Sequence, residues 1–159
     1  RDMSTNKDEL TPEGVFTFEL VNAETGEVEE SKTVKNAIVD DGRNNILEGI
    51  GNLGGGDSFV YLAVGTDGTA VSDGDSSLVS ETERIPLDDG SNQYSQDAGA
   101  TEITGTWTFG TGQANATLQE AGLFTASSGG TMLNRTVISP AIDKSSSQEL
   151  RVTWTLSVN

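Results

Sequence analysis

Two charged residues stand where apolar ones are expected. Glu120 lies in the run Thr117-Leu118-Gln119-Glu120-Ala121-Gly122-Leu123-Phe124, and Arg135 in Met132-Leu133-Asn134-Arg135-Thr136-Val137-Ile138. Period-two alternation puts Glu120 on one face with Leu118 and Phe124, and Arg135 between Leu133 and Val137, so both point at a core. The intervening Ser127-Ser128-Gly129-Gly130 is a hairpin turn, which sets the two residues opposite or diagonal to each other. A buried charge must be paired, and the forked guanidinium matches a carboxylate. We read Glu120 and Arg135 as a register-fixing ion pair rather than as catalytic groups.

The remaining candidates for chemistry are weaker. Asp67, Asp73 and Asp75 crowd one loop, but an EF-hand starting at Asp73 would need Gly at Leu78 and Glu at Arg84. The loop therefore reads as solvated acid, with cation binding left open. Glycoside hydrolysis needs two carboxyls converging on a cleft, one of them desolvated. The adjacent pairs Asp40-Asp41, Asp88-Asp89 and Glu29-Glu30 read as solvated surface instead. Asn115-Ala116-Thr117 and Asn134-Arg135-Thr136 match the N-glycosylation pattern, although Asn134 falls within an expected strand. The chain has no cysteine and no histidine. That excludes disulfides, thiolate metal sites, a cysteine nucleophile and any Ser-His-Asp triad. No catalytic, cofactor-binding or metal-ligating residue is expected.

The elements that carry these residues are short alternating strands. Val15–Val21 and a charged second strand near 27–34 come first, with Lys32 and Lys35 blunting an edge. Then follow 58–65, a weaker strand centred on 82–85, and 102–109. The two runs of the hairpin and Glu149–Val158 complete eight. One helix is expected over 40–53, capped by Asp40 or Asp41, with Ile46, Leu47, Ile50 and Leu53 plugging one end of a sheet pair. This predicts an all-β fold, an antiparallel jelly-roll-like sandwich of about eight strands with one short helix. Residues 1–14 are expected as a polar arm and 15–159 as one domain. Its core should hold Phe16, Phe18, Leu62, Trp107, Phe124, Leu133, Val152, Trp154 and Leu156.

At 159 residues with a net charge of −16, the chain is large enough for a core and too acidic to bind phosphate backbones or anionic membranes. It carries no apolar run of bilayer length, and no stretch reads as a signal peptide. Acidic residues spread along the whole chain are expected to suit high salt, where counterions screen their repulsion.

One constellation resembles a known group. It comprises Thr33-Val34-Lys35-Asn36-Ala37-Ile38-Val39, Asp41-Gly42-Arg43-Asn44, Tyr61-Leu62-Ala63-Val64-Gly65-Thr66, Leu78 and Glu81 to Arg84. Glu120–Phe124, Arg135, Lys144 and Leu150–Leu156 complete it. Together these resemble small β-rich accessory structural proteins of tailed viruses, over most of 32–158. With the acidic composition, the resemblance implies a virus of a halophilic archaeon. It implies a virion location and a non-enzymatic head decoration or turret component, with a tail-fibre or baseplate component as the alternative. It also implies a homo-oligomer, a trimer or pentamer, contacting capsid or tail proteins. A glycan-binding host-attachment module is the rival reading. Trp107 and Trp154 belong to core strands, so only Tyr94 is left for it as an exposed platform. A hydrolase ranks last.

Overall fold

Nine strands and one helix are present in a computed structural model that describes residues 12–158. They are β1 (Pro12–Asn22), β2 (Val28–Lys35), β3 (Ala37–Ile38), α1 (Asp40–Gly51), β4 (Tyr61–Gly65) and β5 (Glu81–Pro86). β6 (Glu102–Phe109), β7 (Thr117–Phe124), β8 (Met132–Asp143) and β9 (Gln148–Val158) follow. They form two antiparallel sheets, ordered β2-β1-β9-β6 and β3-β8-β7-β4-β5. The ninth strand is the two-residue β3, which pairs with β8 at Arg135 and Asn134. Of the expected arm, residues 1–11 lie outside the described residues, and Pro12, Glu13 and Gly14 already belong to β1.

Alternation explains the sandwich. Phe16, Phe18 and Leu20 from β1, Trp107 and Phe109 from β6, and Leu150, Val152 and Trp154 from β9 turn inward. They meet Leu62, Val64, Leu118, Leu123 and Leu133 from the other sheet. Two indoles bury their apolar bodies and still satisfy their N–H groups. Trp107 Nε1 donates to the Val60 carbonyl at 3.0 Å and Trp154 Nε1 to Asn36 Oδ1 at 2.8 Å. Two expected core residues differ in their placement. Leu156 is half-buried and packs against the inter-sheet core. Phe124 is buried, but on the outer face of the five-stranded sheet, in a second cluster with Val39, Ala63, Leu78 and Met132.

The helix departs most from expectation. Its N-cap is Val39 with no side-chain cap, and Asp40 and Asp41 lie inside the first turn. There their charge still favours the positive end of the helix dipole. The left-handed Asn52 ends it, ahead of the glycine run. The residues it buries are Gly42 and Asn45, while Leu47, Ile50 and Leu53 are 64, 79 and 74% exposed. A Cβ on Gly42 would stand 2.2 Å from the Leu133 carbonyl oxygen, so the first turns of the helix lie backbone against backbone on β8. The docked face carries Gly42, Asn45 and the half-buried Ile46, which packs against the core, while Leu47, Ile50 and Leu53 are left facing solvent.

Gly42→Ala should therefore lower stability by about 1–3 kcal/mol, the usual cost of overpacking. Gly49→Ala, next to the exposed stripe, should change it far less. Urea midpoints of the two variants check this.

Candidate functional site

The hairpin of β7 and β8 sets Gly122 opposite Arg135 and Glu120 opposite Val137, so Glu120 and Arg135 are diagonal neighbours. Both are fully buried, and Arg135 Nε donates to Glu120 Oε2 at 2.9 Å. They do not lie between the sheets. The register shifts between Leu118 and Glu120, leaving Leu118 in the inter-sheet core while Glu120 turns to the outer face with Phe124.

What buries the pair is the segment 66–80, whose polar part, 66–77, reads in the sequence as a solvated loop. Glu120 accepts the Ser80 N–H at 2.7 Å and the Val79 N–H at 3.0 Å. Arg135 donates from Nη1 to the Thr69 carbonyl at 2.7 Å and from Nη2 to that of Asp67 at 3.3 Å. Asp75 Oδ2 stands 3.6 Å from Nη1 and Asp67 Oδ1 4.0 Å from Nη2. The acidic loop thus surrounds a cation, and that cation is the guanidinium of Arg135. Asp73 faces the other way, 3.6 Å from Arg43, and its carbonyl accepts the N–H of Asp40 at the start of α1. No group of three or more His, Cys, Asp or Glu side chains among the described residues could hold a metal ion.

Small residues make room for the loop. A Cβ on Gly65 would meet the Ser80 carbonyl oxygen at 2.3 Å and Glu120 Oε1 at 2.5 Å. Leu78 packs over Gly122 and beside Ala63, Phe124 and Met132, which pins the loop by apolar burial as well. Asp67 is held below its ordinary pKa of 3.8, first by hydrogen bonding to Thr69, with Arg135 adding to it.

Two further cations act as internal fasteners. Arg84 lies 3.8 Å from the Phe124 ring centroid and donates to the carbonyls of Ala126 and Gly129, each at 2.8 Å. It ties β5 to the hairpin turn while pairing with Glu81. Lys144 is buried, with Nζ 2.9 Å from the Gly110 carbonyl and 2.8 Å from Asn115 Oδ1, and burial lowers its pKa. At the edge, Lys32 on β2 reaches the Pro140 carbonyl of β8, so it bridges the sheets as well as guarding an edge.

The other candidates are engaged locally. Asp88 accepts from Thr108 N–H and Oγ1, Asp89 from Ser91, and Glu29 from Gln148. Asp88 and Asp89 line one side of a depression of about 400 Å³, with no carboxylate opposing them. Tyr94 is not a free platform. Its hydroxyl donates to the Phe59 carbonyl, and its ring lies edge-on to Trp107 and Trp154, each at 5.9 Å. Burial raises its pKa. Asn134 is fully buried, with Oδ1 accepting the Leu123 N–H, and has no room for a glycan. Asn115 is exposed but binds Lys144 and the Thr111 carbonyl.

No protein-family model, curated protein or solved structure matches the chain. No helix among the described residues is long and apolar enough to cross a membrane.

Removing either partner leaves a buried charge alone, so Glu120→Gln and Arg135→Met should each cost about 3–5 kcal/mol. The double variant should recover part of that loss, read from denaturant midpoints in a double-mutant cycle. For Asp67 the folded pKa is depressed, so its contribution is complete above 3.8 and fades as pH falls through the folded value. Asp67→Asn should therefore be less stable than the parent at neutral pH. Its acid-unfolding curve should show the shallower pH dependence.

Proposed function

We propose that the chain is a non-enzymatic structural component of a tailed-virus particle, a head decoration or turret module rather than a tail-fibre or baseplate piece. The observation that carries this reading is a division of roles between interior and surface. The buried Glu120, Arg135 and Lys144 are each fixed in internal hydrogen bonds, while Leu47 and Ile50 of α1 and Leu53 just past its end offer large apolar side chains to solvent. A domain arranged this way resists deformation and presents a surface for burial against a neighbour. The resemblance over 32–158 supplies the virion setting.

The reading includes a jelly-roll-like connectivity. In its favour, the first and last strands, β1 and β9, are neighbours in one sheet, and β3 pairs with β8 in the other. The engagement of Tyr94 by Phe59, Trp107 and Trp154 favours assembly over glycan attachment, since it removes the exposed aromatic platform.

A net charge of −16 on 159 residues supports a particle that works in concentrated salt. The melting temperature should rise steadily from low to molar KCl, and an unchanged temperature would contradict the halophilic part of the reading. Gold-labelled antibody against the chain should mark the heads of purified particles. Label on tails alone would favour the alternative, and unlabelled particles would overturn the virion assignment.

A further inference from the structure

On the side of α1 away from Leu47 and Ile50 lies a polar hollow of about 340 Å³, lined by Asp41, Asn44, Asn45, Glu48 and Thr131. The helix supplies four of these at i, i+3, i+4 and i+7, which share one face. Thr131 stands immediately before β8, at the foot of the hairpin. Asn45 is the unusual member. It is only 6% exposed, yet its side-chain carboxamide makes no hydrogen bond among the described residues. Nor is it sealed off, as the unpaired Nδ2 atoms of Asn36 and Asn134 are. The opening left to it is the hollow. A buried amide without a partner costs about 1–3 kcal/mol, so an occupant of the hollow has to meet it.

We propose that this hollow binds a hydrated divalent cation of the Mg2+ class, with Asp41 and Glu48 supplying charge and Asn45 Oδ1 a neutral oxygen. Three observations favour that occupant. Every lining residue offers oxygen and none is basic. Arg43, the one basic residue of the helix, is taken by Asp40 and Asp73. The second observation is that Glu48 is held in place before any ion arrives. Its Oε1 accepts from Asn44 Nδ2 at 2.9 Å, and Oε2 occupies space that a side chain on Gly55 would fill. The third is spacing, which selects the ion. Seven residues of helix span roughly 10 Å, so Asp41 and Glu48 need water to complete the bridge between them. Ca2+ takes six to eight oxygens directly, whereas Mg2+ keeps several waters and is held through one or two carboxylates. A bound ion would also tie α1 to the start of β8 through Thr131, independently of the Gly42 contact.

The site does not depend on the virion reading, and its test needs no particle. MgCl2 and, separately, CaCl2 are titrated calorimetrically into the full chain in molar KCl, which screens diffuse attraction to the −16 surface. The expected result is one saturable Mg2+ site, Ca2+ binding no tighter, and a melting temperature that rises with MgCl2. Hexaamminecobalt(III), which presents a similar shell without exchanging its ligands, should compete with Mg2+. Asp41→Asn/Glu48→Gln should lose both the site and the temperature rise with its circular dichroism unchanged. Glu24→Gln/Glu27→Gln removes the same charge from exposed positions between β1 and β2 and should keep both. Asp41→Asn alone, at an exposed side chain, should bind Mg2+ more weakly, which keeps the test decisive if the double variant is unstable. No saturable binding and no temperature shift would overturn the site and leave a hollow filled by water. Equal binding by Asp41→Asn/Glu48→Gln overturns it in favour of diffuse surface attraction. Ca2+ binding tighter than Mg2+, without competition from hexaamminecobalt(III), overturns the hydrated ion in favour of direct ligation.

Discussion

A guanidinium with no access to water has to be surrounded by acceptors, and Arg135 imposes that requirement on the 66–80 loop and the strands beside it. One carboxylate, Glu120, meets it from the neighbouring strand, and the Thr69 and Asp67 carbonyls meet it from above. Glu120 in turn needs donors for both oxygens and takes them from the Val79 and Ser80 amides. The two charges therefore define where the loop begins to leave β4, where it crosses the sheet and where it re-enters β5. Leu78 and the small residues Ala63, Gly65 and Gly122 follow from the same demand, because the loop has to lie close to the strands to reach the pair. A buried ion pair is a poor source of net stability but a strong selector of one arrangement, since misregister strands both charges. We regard that selection as its role here.

The same network reconciles a very acidic chain with a folded loop of acids. Asp67 and Asp75 converge on Arg135, while Asp73 turns to Arg43 at the helix. The buried Arg135 and the half-exposed Arg43 hold these carboxylates, and the remaining surface charge is left to the solvent. The start of α1 is drawn onto the sheet by Gly42 and by the Asp40–Asp73 backbone bond. Leu47 and Ile50 are left exposed beyond that contact, which links the loop over the buried pair to the surface we propose for assembly.

Much of this was legible in the residues. Alternation in β1, β6 and β9 identifies the inter-sheet core, and the Gly129-Gly130 turn identifies the hairpin that brings Glu120 near Arg135. Three features were not legible for physical reasons. The ladder breaks between Leu118 and Glu120, where β7 advances two residues against five on β8, and period two cannot register such a break. Leu78 looks like a strand residue, yet it anchors a loop whose polarity is satisfied internally. The helix docks only through its first turns, where Gly42 admits closer approach than any side chain could and Ile46 reaches the core, so Ile50 on the same face is left exposed. The loop acids did carry a signal in a chain of few cations: Asp67 and Asp75 converge on Arg135, and Asp73 on Arg43.

The central claim is that the 66–80 loop belongs to the rigid body of the domain because Glu120 and Arg135 hold it there. Native-state hydrogen exchange at the Val79 and Ser80 amides tests it most directly. Both donate to a fully buried carboxylate, so they should exchange only by opening of free energy close to that of global unfolding, as in the β7 and β8 core. Exchange at the rate of the exposed Ser127–Ser128 turn would mean the loop opens independently, and would contradict the account.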